Sequence, residues 1–201
     1  MTSNNKIVII GGGLAGCEAA YQISKFDINV DLYEMRPKVK TEAHQTKYLA
    51  ELVCSNSFRS DDKEYNAVGV LHEELRIADS LIMKTADNNK VPAGSALAVD
   101  RDDFAKEVNK TINSISNINI INQEVKDLNE FNDQIVIIST GPLTSKTLTE
   151  SIKIKTSENS LAFYDAIAPI VYKETINMSV AWKQSRYDKG NGDDYINCPL
   201  S

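Results

Sequence analysis

An apolar strand that empties into closely spaced glycines is the feature that most narrows what this chain can fold into. Lys6-Ile7-Val8-Ile9-Ile10 runs directly into Gly11-Gly12-Gly13-Leu14-Ala15-Gly16. The spacing is G-x-G-x-x-G. In a strand–turn–helix unit the first glycine, Gly11, permits the tight turn. Gly13 lets backbone approach a pyrophosphate, and Gly16 lets the following helix pack closely on the strand. Cys17 to Lys25 reads as that helix, whose free N-terminal amides and positive dipole end suit a diphosphate. A second apolar strand, Val30-Asp31-Leu32-Tyr33, ends in Glu34. That is close to the distance of about twenty residues at which an acid takes the ribose hydroxyls of an adenosine. Residues Gly11, Gly12, Gly13, Leu14, Ala15, Gly16 and Glu34 therefore form the expected dinucleotide-binding set. A carboxylate at position 34 repels a 2′-phosphate, which disfavours NADP here, and the turn alone does not choose between NAD and FAD.

Composition bounds the remainder. A chain of 201 residues can bury a core as one large domain or as one and a half smaller ones. Its net charge of −6 disfavours a general nucleic-acid coat and allows at most a local basic patch. The three cysteines, Cys17, Cys54 and Cys198, are far apart and lack C-x-x-C or Cys/His zinc spacing. Reduced thiols in a cytoplasmic protein without a metal site are expected. The start, Met1-Thr2-Ser3-Asn4-Asn5, lacks the apolar stretch of a signal peptide, and no run reaches membrane-spanning length, so no membrane partner is expected.

Along the chain, Arg36 to Ser60 is polar and irregular, with Pro37 blocking an immediate helix. Asn66 to Met83 reads as one helix with Val68, Leu71, Leu75, Ala78 and Ile82 on its apolar stripe. His72, beside that stripe, reads as a boundary or solvent histidine. Val91 to Ser95 is a turn, Ala96 to Val99 a short strand, and Asp100-Arg101-Asp102-Asp103 an acid-rich helix start that continues through Phe104, Val108 and Ile112. Strand candidates follow at Ile118–Ile121, Glu124–Leu128 and Ile135–Ile138. The last is an unbroken apolar run, which suits a strand buried on both faces of a parallel sheet. It closes on Ser139-Thr140-Gly141-Pro142.

This order of pieces resembles the two-dinucleotide-fold flavoproteins, a resemblance that favours FAD over NAD and places Gly141 near the cofactor. Sharper words lie between the elements. Tyr33-Glu34-Met35-Arg36-Pro37, Ala50-Glu51-Leu52-Val53-Cys54-Ser55-Asn56-Ser57 and Asn66-Ala67-Val68-Gly69-Val70-Leu71 are similar to the folate- and FAD-dependent RNA uracil-5 methyltransferases, the TrmFO family. Pro92 to Arg101, Thr140 to Ser145, Phe163-Tyr164-Asp165-Ala166, Ser185-Arg186-Tyr187-Asp188-Lys189-Gly190 and Asn197-Cys198-Pro199 continue the match in the family's order.

The resemblance implies an α/β fold with a Rossmann-like FAD-binding domain and the start of an inserted α+β domain. The domains would be 1–143 and 144–201, both incomplete, with the Lys-, Thr- and Ser-rich residues 146–160 crossing between them. Phe163–Ala168 and Ile170–Tyr172 would begin the inserted domain in strands, and 188–192 would be a turn. Arg36 joins the cofactor-binding set. The implied reaction moves a one-carbon unit from methylenetetrahydrofolate to C5 of a uridine, with FAD as electron source and NAD(P)H as its reductant. Uracil C5 is a poor nucleophile until a thiolate adds to the ring. By motif Cys54 is the catalytic cysteine present here, as nucleophile or as proton carrier. Ser55, Asn56, Ser57 and Arg59 flank it with polar groups and a cation. Cys17 reads as packing. Arg186 and Tyr187, with Lys183, Lys189 and Trp182, would meet RNA phosphates and a splayed base, with tRNA the family default and rRNA open to the same chemistry.

The match runs from Lys6 to the last residues, while the motif of the family's second functional cysteine has no counterpart. A shortened paralogue, a degenerate copy or one piece of an enzyme completed by a second chain is therefore expected. Two other readings stand beside the methyltransferase. One is a GidA-type tRNA uridine-modifying flavoprotein, which shares Ala15-Gly16-Cys17-Glu18-Ala19-Ala20 but has different words after the second strand. The other is a non-catalytic FAD- or RNA-binding remnant.

Overall fold

In the computed structural model, residues 6–41, 43–158, 171–185 and 192–199 are described. In chain order the elements are β1 (Lys6–Ile10), α1 (Leu14–Ser24), β2 (Asn29–Glu34), β3 (Ser57–Ser60), α2 (Ala67–Ile77), α3 (Leu81–Asn88) and β4 (Lys90–Val91). They continue with β5 (Ala96–Val99), α4 (Arg101–Ser114), β6 (Ile118–Asn122), β7 (Ile135–Ile138), α5 (Lys146–Thr156), β8 (Trp182–Lys183) and β9 (Ile196–Asn197). The residues through Val53, together with those from Ala105 to the end of α5, form one compact unit. Cys54–Phe104 and the described residues beyond 170 form a second.

The first unit is a parallel sheet in the order β6-β2-β1-β7. Every pairing in it is parallel, β1 to β2, β1 to β7 and β2 to β6. The chain steps outward from β1 through β2 to β6 and then returns to the other side of β1. That is the order of a Rossmann half, with its topological switch point between β1 and β7. The fold is α/β and Rossmann-like, as the glycine turn and the apolar strands led us to expect. Helix α1 covers the sheet with small buried residues, Gly16, Cys17 and Ala20. Val8 and Ile10, two apart and so on one face of β1, pack in a core with Val125, Phe131 and Leu148. Tyr33 meets Phe131 edge-on, with ring centroids 5.4 Å apart. Val108 and Ile112 of α4 are fully buried.

Several segments differ from the sequence expectation. Glu124–Leu128 forms no strand, because its buried apolar side chain is Val125 and Asp127 instead caps a 3₁₀ turn over Leu128–Phe131, accepting the Asn129 amide. Strand β7 forms where expected but pairs with β1 alone among the described strands, and Ile135 is 66% exposed. Lys146–Thr156, whose composition suggested a crossing segment, is a helix capped by Ser145 that packs Leu148 into the core of the first unit. The first helix starts three residues earlier than read, at Leu14.

In the second unit, β3-β5-β4 make an antiparallel sheet and β8 pairs with β9. The single helix expected over 66–83 is two. Asp79 sits at φ +54°, and Ser80 opens α3 by accepting the Met83 amide. The buried face of α2 is also not its apolar stripe. Leu71 is 51% exposed, whereas Gly69 and His72 are buried. His72 Nδ1 lies 3.0 Å from Asp61, and Arg76 donates to the same carboxylate at 2.9 Å. A side chain on Gly69 would collide with Asp62 backbone at 2.2 Å. Pairing with Asp61 and this close approach set the rotation of α2, and they correct the solvent reading of His72. Val171 and Tyr172 precede a 3₁₀ turn over Lys173–Thr175, not a strand. Residues 163–168 and 188–191 lie outside the described residues. No helix among those described is long and apolar enough to cross a membrane.

Candidate functional site

The carboxyl ends of β1 and β7 open onto a cavity of about 300 Å³ within the first unit. Gly11 to Ala15, Tyr33 to Arg36 and Ser139 to Leu143 all line it. This is the crevice beyond the strand ends, at the switch point, where open α/β sheets take ligands. The structure thus brings together Gly11, Gly12, Gly13, Leu14, Ala15, Glu34, Arg36 and Gly141 from the expected set.

The glycines differ in what demands them. Gly11 has φ +108°, and a side chain there would strike Ser139 backbone at 2.8 Å. At Gly16 an added Cβ would fall 1.8 Å from the Gly11 carbonyl oxygen, so this residue sets how closely α1 approaches the turn. Gly13 is unlike both. Its φ of −77° suits any residue, and an added Cβ would meet no protein atom within 4 Å. No internal contact calls for glycine at 13, while a ligand lying against the backbone would. The first backbone bond of α1 runs from the Cys17 amide to the Gly13 carbonyl at 3.0 Å. The amides of Leu14, Ala15 and Gly16 come before it, without a capping side chain or an acidic residue in the first turn. Such a helix start is suited to anionic oxygens. Opposite it, Gly141 has φ +60° with open space where a Cβ would stand.

Glu34 and Arg36 form the polar wall. Arg36 is 1% exposed. Its Nε donates to Glu34 Oε1 at 2.9 Å and its second terminal nitrogen to Oε2 at 3.2 Å. Its backbone amide adds a bond to Oε1 at 3.0 Å, and the Gly12 amide reaches Oε2 at 3.1 Å. Burial opposes the charge on Glu34, but the hydrogen bonds and charge of Arg36 outweigh it and hold the carboxyl below its usual pKa. Four donors fill the roughly four acceptor positions of a carboxylate. A ribose hydroxyl would bond to Glu34 by exchanging with one of them.

Two neighbours had no legible role in the sequence. Glu51 accepts from the other terminal nitrogen of Arg36 at 3.0 Å. His44 lines the same cavity, with Nδ1 2.6 Å from the Thr41 hydroxyl; burial and the nearby Arg36 charge lower its pKa. Both lie in the polar segment after Pro37, where no period marks a residue that tertiary folding brings to the site.

Cys17 is buried, its thiol 3.4 Å from the Gly12 carbonyl, and burial pushes its pKa up to about 12. It packs under the turn. Val53 lines the cavity, and Cys54, the next residue in the chain, opens the second unit with a half-buried thiol that is in no disulfide. Arg59 is exposed, with φ +73°. Arg186 and Tyr187 lie outside the described residues. Among those described, no group of three or more His, Cys, Asp or Glu is placed to hold a metal ion.

A family model described as glucose inhibited division protein A matches residues 6–201. The chain belongs to that family. Within the glucose inhibited division protein A family it is similar to proteins named methylenetetrahydrofolate–tRNA-(uracil-5-)-methyltransferase TrmFO. The one from Bartonella henselae is 58% identical over 97% of this chain and 42% of the relative. Those from Paramagnetospirillum magneticum and Jannaschia sp. are 59% and 56% identical over 96% and 100% of this chain. The chain spans between 42% and 44% of the length of these relatives.

Proposed function

We propose that this chain binds FAD by its adenosine diphosphate end in the cavity between β1 and β7, as part of a folate- and FAD-dependent methyltransferase acting on a tRNA uridine. The observation that carries the cofactor reading is Gly13, a glycine that no protein contact requires, beside the uncapped start of α1. The relatives' shared name supports the reaction and the RNA. FAD in this role supplies electrons for reducing the transferred carbon, with methylenetetrahydrofolate and NAD(P)H as co-substrates.

The chain's own residues divide the work. Gly11 to Gly16 let backbone and first-turn amides meet the pyrophosphate, and Gly141 leaves the opposite wall open. Glu34 takes the ribose, exchanging one Arg36 donor for a hydroxyl, while Arg36 keeps the carboxylate charged. Cys54 either adds to the uracil ring, making C5 nucleophilic, or carries the proton that C5 loses. Arg186 and Tyr187 are substrate-side groups. The flavin-binding part is the first unit, built from the residues through Val53 and from Ala105 to the end of α5 rather than ending at 143, and the setting is the cytoplasm.

The absorption spectrum of the purified chain, with and without added FAD, tests this. One flavin retained per chain after desalting is expected. A colourless chain that retains none would refute the cofactor reading. Cys54→Ala should keep the flavin and abolish uridine methylation in whatever assembly carries the activity. Methylation retained in that variant would remove Cys54 from the chemistry.

A further inference from the structure

The segment after Pro37 is fastened to the glycine turn at both backbone and side-chain level. The Ala50 amide donates to the Gly12 carbonyl at 2.8 Å, although this requires Ala50 to take φ +52° while fully buried. Leu49 packs so closely that a Cβ on Gly12 would fall 2.6 Å from its Cδ2. A non-glycine residue held in the left-handed region is costly and persists where its surroundings over-determine it. Glu51 is the hub of those surroundings. Its carboxylate takes the Gln45 amide at 2.8 Å, the Thr46 amide at 3.1 Å, the Thr46 hydroxyl at 2.9 Å and the Arg36 guanidinium at 3.0 Å.

This changes what Arg36 can do. An arginine beside an adenosine ribose is the group that accommodates a 2′-phosphate. Here the guanidinium is gripped on one edge by Glu34 and at its other terminal nitrogen by Glu51, and the three side chains carry a net charge of −1. We propose that Glu51 is a specificity-determining positioning residue of the nucleotide site: it holds Arg36 against Glu34 and so restricts the site to adenosine with a free 2′-hydroxyl. The proposal rests on the reading of this cavity as a nucleotide site. It assigns the discrimination to two carboxylates, one of them fifteen residues further along the chain than the arginine it restrains.

The test is titration of the ligand-free chain with ADP and with 2′-phospho-ADP, comparing wild type with Glu51→Gln. Removing one unit charge beside the guanidinium should lower the preference for ADP about tenfold, mainly by tighter binding of the 2′-phosphate form. A residue serving only stability would change both affinities alike, so an unchanged ratio overturns the proposal while leaving the nucleotide reading intact. Should Glu51→Gln fail to fold, Glu51→Asp, which keeps the charge but withdraws it from Arg36, carries the test. A fall in the ratio of about threefold is then expected, and no change overturns the proposal. Binding of neither nucleotide, nor of FAD, by wild type overturns the reading of the cavity and the proposal with it.

Discussion

Glu34 and Arg36, two residues apart at the end of β2, hold each other through two side-chain hydrogen bonds of 2.9 and 3.2 Å, and both are buried. The pair is anchored by the Gly12 amide on one side and Glu51 on the other. Arg36→Ala removes the cation and leaves two carboxylates facing each other across the cavity wall. Breaking a buried pair from one side costs about 3–5 kcal/mol. Urea unfolding of the ligand-free chain should show a loss of this size, and a loss below about 1 kcal/mol would place the pair among surface ion pairs.

The same pair sets a pH dependence. The Glu34 carboxyl is held below its ordinary value of 4.5 in the folded chain. A depressed folded pKa means that the unfolded chain takes up the proton first as acid is added. The contribution is therefore complete above about pH 5 and is lost as pH falls through 4.5 toward the folded value. Glu34→Gln cannot titrate. Its stability should fall less than that of wild type between pH 5 and 3 in parallel thermal melts. Identical slopes would mean that the Glu34 charge contributes nothing to folding.

Thiol chemistry separates the cysteines. Cys17 is fully buried and its pKa is raised to about 12 by burial, whereas Cys198 is exposed. Because the thiolate is the reactive form, iodoacetamide at neutral pH should modify Cys198 in the native chain and Cys17 only after unfolding. Mass mapping of the labelled peptides reads this directly. Native labelling of Cys17 would contradict its position under the glycine turn.

What could be read from the residues and what could not divides along the range of the interactions. The β1-α1-β2 unit was legible because glycine spacing, strand composition and the acid at 34 are local signals. Helix α4 was legible because Phe104, Val108 and Ile112 repeat at helical spacing and all three are buried. The break in the expected 66–83 helix was less visible, since Asp79 and Ser80 interrupt no apolar period, yet Ser80 is a good cap in the place where one is used. Burial of His72 was illegible because it depends on Asp61 from another element. The apolar run of β7 carried its strand character but not its neighbours, and its position beside β1 alone leaves Ile135 exposed. In the site, the glycines and Glu34 were found by motif. Arg36 came through family resemblance, and Glu51 and His44 emerged with the fold, because polar residues in an aperiodic segment show no partner until the chain is closed.

The central claim is that the glycine turn serves a bound dinucleotide and not merely its own packing. Gly16→Ala places a methyl group 1.8 Å from the Gly11 carbonyl oxygen, so it should destabilise the fold itself. Gly13→Ala adds its methyl group where no protein atom lies within 4 Å. The most direct measurement is therefore FAD titration of Gly13→Ala beside wild type, with thermal melts of both ligand-free proteins. Melting within about 2 °C of wild type, corresponding to roughly 0.5 kcal/mol, together with FAD binding weakened at least about tenfold, is the predicted result. Equal FAD affinity in the two proteins would contradict the account.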